Sequence, residues 1–230
     1  MSERFDTLFA GMSEETAMET LLKPPAELKN PGLKYLAATR LGACQSPESL
    51  QRLLAAGAND SDDLYERITR RKALEALGRR KDRSALPVLL AALQADDEPT
   101  VVNAADAIAR LSTPLNKEEQ TALLQALQGP DNQRRAVLQA FCRLGMNDAS
   151  GQIDHCRNDS NPLVAGAAHA YAVRVLGDQQ GLHPLMEQLR DDNPGRRRAA
   201  VIDLGDAGRI EALAALIRCP VSMPLRAKSA

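Results

Sequence analysis

The chain has 230 residues, with 29 Lys and Arg against 30 Asp and Glu, for a formal net charge of −1. A protein that works mainly through phosphate contacts carries a clear basic excess, so this balance argues against nucleic acid as a partner. With no Trp, three Tyr and three Phe, the core must come from Leu, Ala and Val. That suits packed helices better than a sheet sandwich, and no run reaches the ~20 apolar residues of a membrane span.

The first stretch, "MSERFDTLFAGMSEETAMETLL", is acidic and lacks a basic leader followed by an apolar run, so no secretory signal is read there. Residues 1–29 are assigned as an N-terminal cap. From residue 30 a frame recurs: "AATRLG" (37–42), "ALEALG" (73–78), "AIARLS" (107–112), "AFCRLG" (140–145), "AVRVLG" (172–177) and "AVIDLG" (200–205). The fifth-position leucines, Leu41 to Leu204, follow one another at intervals of 36, 34, 33, 32 and 28 residues. A small residue, an apolar one beside it and another four positions on mark one face of a helix. The alanine admits a neighbouring helix and the leucine fills the space next to it. Glycine in the sixth position predicts a helix stop in the left-handed conformation.

Each frame leads into a second apolar stretch, among them "SLQRLLAA", "SALPVLLAALQ", "EEQTALLQALQ", "GLHPLMEQLR" and "IEALAALIR". Pro31, Pro99, Pro162 and Pro194 precede first helices, and Pro87 and Pro184 open second ones, where proline loses no hydrogen bond. The unit is a helical hairpin of about 30 residues that buries its face only by stacking. These signs predict an all-α fold, a right-handed α-solenoid of about six repeats in a single domain, residues 1–230. Repeats occupy 30–220 and an incomplete repeat 221–230, where "PLRAKSA" starts like "PGRRRAA" without its Leu–Gly. An acidic linker, "GANDSDDLY" (57–65), lengthens the first repeat. The fourth hairpin, "NDASGQIDHCRNDSN", is too polar and short for a full second helix. Cys44, Cys142, Cys156 and Cys219 are far apart with no CxxC, which reads as reduced thiols in a cytoplasmic protein without a metal site.

The segment "DLYERITRRKALEALGRRKD" (63–82) holds seven basic side chains between Arg67 and Lys81. A nucleic-acid stripe, an anion site and a solvated helix face are the three readings. In the repeat frame Arg79, Arg80 and Lys81 follow the glycine and face solvent, with Asp82 and Asp106 as partners of an inter-repeat Arg–Asp ladder. Similar arginines recur at Arg134–Arg135 and Arg196–Arg198. Arg67, Arg70 and Arg71 fall near the helix start, where an anion site and a ladder are equally good readings. His169 and Tyr171, among small apolar neighbours, read as packed residues. Cys142 reads as half-buried, and His155–Cys156 as a loop without chemistry.

Residues 30–111 resemble E/F-type bilin lyases, HEAT-repeat proteins that attach linear tetrapyrroles to cysteines of cyanobacterial phycobiliproteins. The resemblance rests on "YLAATRLG", the acidic linker, "LYERITRRKALEALGRRKDRSALPVLLAAL" and "DDEPTVVNAADAIARL". Its most specific part is the arrangement of Tyr35, Tyr65, Arg70 and Arg71. The chain is similar within that family to lyases of the phycoerythrin β subunit. The resemblance implies a bilin as transferred substrate rather than a permanently bound cofactor, a phycobiliprotein subunit as acceptor, and room for a second lyase subunit. Arg67, Arg70 and Arg71 would then hold the pigment's propionates, since guanidinium forks bind carboxylates bidentately. Tyr35 and Tyr65 would offer flat faces with a hydroxyl handle, and Asp106 and Glu75 would serve as general acids. The nucleophilic cysteine would belong to the acceptor. The competing reading is a non-catalytic HEAT scaffold or chaperone for phycobiliprotein or phycobilisome assembly or turnover.

Overall fold

The structure, a computed structural model, describes residues 11–147 and 150–230. The first ten residues of the expected cap, and residues 148 and 149 of the polar fourth hairpin, lie outside it. Among the described residues every regular element is helical. Contacts divide the chain into two compact units, Met1–Thr113 and Pro114–Ala230.

In the first unit, α1 (Glu14–Leu22) packs on α2 (Leu33–Leu41), and α3 (Pro47–Ala58) completes the first hairpin. The second hairpin is α4 (Leu64–Arg80) with α5 (Leu86–Ala92), and α6 (Glu98–Leu111) follows. First helices α2, α4 and α6 stack side by side with α4 in the middle, and α3 and α5 form a second layer. Side-chain caps set the helix starts: Ser46 accepts from Ser49 N, Asp63 from Tyr65 N and Glu66 N, and Asp97 from Thr100 N. The second unit repeats the plan. Its first helices α8 (Asp131–Leu144), α10 (Pro162–Tyr171), α12 (Pro194–Ala207) and α14 (Met223–Ser229) stack in order. Around them are α7 (Lys117–Gln125), α9 (Ser150–Asp154), α11 (Leu182–Gln188) and α13 (Leu213–Arg218).

The alanine column behaves as its spacing predicts: Ala37, Ala73, Ala107, Ala140, Ala172 and Ala200 are all buried. The leucine column is buried at Leu41, Leu77, Leu111 and Leu204, but Leu144 is half-buried and Leu176 is 40% exposed. At Leu176 the reason is a π-helical turn over Ala172–Leu176. Its wider i→i+5 winding inserts a residue into the turn, so Leu176 rotates off the face that a 3.6-residue period assigns it.

The sixth-position glycines do two different jobs. Ser112, Gly145 and Gly177 stop their helices at positive φ as expected. Gly78 and Gly205 instead lie inside helices that run on to Arg80 and Ala207. A Cβ on Gly78 would sit 2.6 Å from Ala107 Cα, and one on Gly205 2.9 Å from Ser229 Cβ. Gly42 closes α2 in a right-handed conformation, and a Cβ there would meet Ala76 Cβ at 2.8 Å. At these three positions the missing side chain lets successive first helices cross closely.

Because α4 continues past Gly78, Arg79 and Arg80 are half-buried rather than solvated, which corrects the reading of that trio. Arg80 donates to Ser49 Oγ at 2.7 Å and Ser46 O at 2.9 Å, tying the end of α4 to the start of α3. Lys81 caps the helix at φ 55° and is exposed. A second buried tie lies nearby: Lys34 Nζ donates to Glu66 Oε1 at 2.6 Å and to Lys23 O at 2.7 Å.

The second unit holds an ion pair whose carboxylate is fully buried. Arg135 on α8 forks onto Asp203 on α12 at 2.6 and 2.9 Å, and Gln139 adds a bond at 3.1 Å. Burial pushes the Asp203 carboxyl above its usual range, against the opposing pull of Arg135 and Gln139. The pair spans α10 at Gly166, where a Cβ would lie 2.9 Å from Asp203 Oδ2.

Candidate functional site

The expected site residues fall on α2, α4 and α6 of the first unit. Successive residues of a helix turn by about 100°, so Leu64, Ile68, Lys72 and Glu75 form an outward ridge on α4. Leu64 is exposed, and Ile68, Lys72 and Glu75 are half-buried. Tyr65 lies on the α2 side of that ridge, near the face where Ala76 meets Gly42. Arg67 and Arg71 lie on the α6 side, in line with Gly78 and its contact to Ala107. Tyr65 is 39% exposed and Tyr35, on neighbouring α2, 37% exposed. Both rings therefore present part of their surface to solvent.

The three arginines do not act together. Arg67 Nη2 donates to Asp97 Oδ1 at 2.6 Å. Arg71 grips the same carboxylate on two nitrogens, Nε to Oδ2 at 2.9 Å and Nη2 to Oδ1 at 2.5 Å. Arg70 turns the other way, its Nη1 to Asp60 and its Nε to Gly57 O at 3.2 Å. Helical spacing explains the split: residues 67 and 71 share a face at i and i+4, whereas 70 points about 100° away from 71. Asp97 is the hub that sequence reading missed. Its burial works to raise the carboxyl, but bonds from Arg71, Thr100 and Arg67 hold it well below the usual carboxylate range. The signal was available in "DDEPT", an Asp two residues before a first-helix proline, which marks an N-cap. An inter-repeat Arg–Asp contact thus exists at Asp97, which Arg67 and Arg71 share, while Arg70 pairs with Asp60 of the linker just before its own helix. Asp82 instead caps the turn at Ser84.

Glu75 and Asp106 occupy adjacent helices. Each is salt-bridged within its own helix, Glu75 to Lys72 at 2.8 Å and Asp106 to Arg110 at 2.6 Å. A carboxylate so held can orient a ligand N–H or exchange a proton once a ligand displaces its lysine or arginine.

In the second unit, His155 and Cys156 form a 3₁₀ turn after the five-residue α9. This short second helix leaves a cleft of about 600 Å³ bounded by Leu124, Leu127, Arg134, His155, Cys156 and Asp159. Burial raises the Cys156 thiol, which works against thiolate chemistry. Cys142 is fully buried, its thiol pushed up to about 12 chiefly by desolvation. His169 is packed, as its surroundings predict, and burial lowers its pKa. Tyr171 is buried with its hydroxyl donating to Met146 O at 2.7 Å.

Residues 65–142 match the family model for HEAT repeats. The "uncharacterized phycocyanin operon protein Y" of Pseudanabaena tenuis is 28% identical over 226 residues, 98% of this chain and 53% of that protein. The bilin biosynthesis protein PecE of a Nostoc species is 30% identical over 158 residues, 68% of this chain and 62% of its own length. The phycocyanobilin lyase subunit alpha of Thermosynechococcus vestitus is 28% identical over 209 residues, covering 82% and 76% of the two chains. The chain is thus similar to HEAT-repeat proteins and to proteins of bilin biosynthesis and bilin attachment. The chain spans between half and two thirds of the length of the first two relatives. Its fold matches that of the CpcE–CpcF complex of phycocyanin lyase from Nostoc. The TM-score is 0.79 at 24% identity, over 94% of this chain and 85% of the solved one. That likeness carries the α-solenoid architecture. Among the described residues, no helix is long and apolar enough to cross a membrane.

Proposed function

We propose that the chain is a phycobilin lyase, or one subunit of such a lyase. It attaches a linear tetrapyrrole of the phycoerythrobilin type, through a thioether, to a cysteine of a phycobiliprotein subunit. Kinship with bilin biosynthesis proteins and a lyase subunit supports the reading. The observation that carries it within this molecule is the outer surface of α4. There an apolar ridge, Leu64 and Ile68, lies between an exposed tyrosine edge and an arginine edge. Such a surface suits a flat, conjugated ligand with anionic side arms.

In this reading Tyr35 and Tyr65 lie against the pyrrole rings, and the arginine edge takes a propionate. The acceptor's thiol adds to a conjugated double bond of the pigment. A carbon–sulfur bond forms, the thiol's proton is transferred to the tetrapyrrole, and no electrons enter or leave. Glu75 and Asp106 relay that proton, and the surface holds the pigment in one orientation, which is where most of the rate gain of a positioned addition arises. A second HEAT-repeat subunit works with this chain, in the cytoplasm.

The test is co-production of the chain with phycoerythrobilin and a phycoerythrin β subunit, with and without a second HEAT-repeat lyase subunit. Covalent pigment that survives denaturing electrophoresis, above the level formed without the chain, supports lyase activity. Tight binding of the biliprotein with only background adduct in both arrangements would establish the scaffold or chaperone reading instead.

A further inference from the structure

We propose that Asp97 is a positioning residue. It turns Arg67 so that one edge of the guanidinium stays free for a single ligand carboxylate, while Arg70 and Arg71 serve the fold. The inference rests on the bilin-lyase reading and narrows it to one of the three arginines.

A guanidinium has five N–H donors arranged along two usable edges, Nε with one Nη2 hydrogen, and the other Nη2 hydrogen with Nη1. Arg67 spends one Nη2 hydrogen on Asp97 Oδ1. Whichever hydrogen that is, the other edge keeps both of its donors. The Arg67 side chain, on the α6 side of the ridge, is 43% exposed, against 25% for Arg71 and 12% for Arg70.

The other two are committed. Arg71 gives Asp97 a whole edge. Arg70, only 12% exposed, divides its donors between Gly57 O and Asp60 and points toward α3. Asp97 is itself fixed from the far side as the N-cap of α6, accepting from Thr100 N at 3.0 Å. A carboxylate anchored in one helix therefore aims an arginine of the next. Asp97 also cancels one of the two positive charges beside it, and its sequence neighbours Asp96 and Glu98 oppose a second anion. The site is consequently suited to one carboxylate and poorly suited to two.

The experiment titrates the full chain with phycoerythrobilin and, separately, with its propionate dimethyl ester, reading visible absorbance and induced circular dichroism. The variants are Asp97→Asn, Arg67→Ala, the double variant, and Arg70→Lys. Asparagine is as good an N-cap as aspartate, so Asp97→Asn retains the start of α6, and thermal melts report any residual effect on folding. The expected result is a loss of affinity for the free acid of about tenfold in Arg67→Ala, the scale of one charge-assisted hydrogen bond, and a loss in Asp97→Asn as well, because the misaimed guanidinium outweighs the one negative charge removed beside it. The double variant should lose little more than either alone, and all three should bind the dimethyl ester as the parent does. Arg70→Lys should leave both affinities unchanged. If Asp97→Asn binds the free acid like the parent, or loses acid and ester equally, the positioning role is overturned while the lyase reading stands. If the parent chain binds neither form, both fall.

Discussion

Replacing Gly78 with alanine should destabilise the first unit, although alanine is the better helix former. Gly78 lies inside α4, not at its end. The added methyl would meet Ala107 Cα at 2.6 Å, Ala107 Cβ at 2.8 Å and Ala107 O at 3.2 Å. Carbon atoms in good contact sit about 3.5–4.0 Å apart, so α4 and α6 would have to separate by roughly 1 Å. Two of the obstructing atoms are backbone, so no rotamer change relieves them. Overpacking of this kind costs about 1–3 kcal/mol, and the rigid obstruction places it near the upper end. Removing glycine from a helix interior returns about 1 kcal/mol. The balance is a net loss of about 2 kcal/mol, which at a urea dependence of about 2 kcal/mol per molar lowers the unfolding midpoint by about 1 M. The assay is urea denaturation followed by far-ultraviolet circular dichroism, with Gly151→Ala as control. Gly151 is helical with nothing within 4 Å of its would-be Cβ, so its substitution should be neutral or mildly stabilising. A Gly78→Ala midpoint equal to or above that of the parent would refute the close crossing and restore the helix-stop reading.

Arg80→Ala should cost about 1–3 kcal/mol, because it strips hydrogen bonds from half-buried Ser46 and buried Ser49; a melt unchanged from the parent would return Arg80 to the solvated surface. Asp203→Ala should cost about 3–5 kcal/mol by leaving Arg135 buried without its carboxylate, and the pair Asp203→Leu with Arg135→Met should recover most of that loss in a double-mutant cycle. Acid stability should depend on Asp97. Its folded pKa is depressed, so the stability it contributes is present above the unfolded value of about 4 and is lost as pH falls below it. Stability measured from pH 6 to pH 2 should therefore fall less steeply in Asp97→Asn than in the parent.

Much of the fold is legible in the sequence, because it rests on period and volume. An alanine and a leucine repeating on one helical face, with proline before the helices, imply stacked hairpins wherever the chain goes, and Ala37 through Ala200 are buried accordingly. The residues of the candidate surface were legible too: Tyr35, Tyr65, Arg67, Glu75 and Asp106 lie on three helices that pack side by side. What the linear pattern left open is which partner each polar group takes. Gly78 and Gly145 occupy the same frame position, yet one is a crossing point and the other a helix stop. The difference depends on whether the next first helix passes within van der Waals distance. Arg70 and Arg71 are neighbours in the chain and turn to opposite sides, toward Asp60 and Asp97. Arg135 finds Asp203 across an intervening helix because Gly166 leaves room. Helical periodicity assigns a residue to a face from local information alone. The ion pair it makes is a short-range interaction between side chains far apart in sequence, so only the packing of the helices decides it.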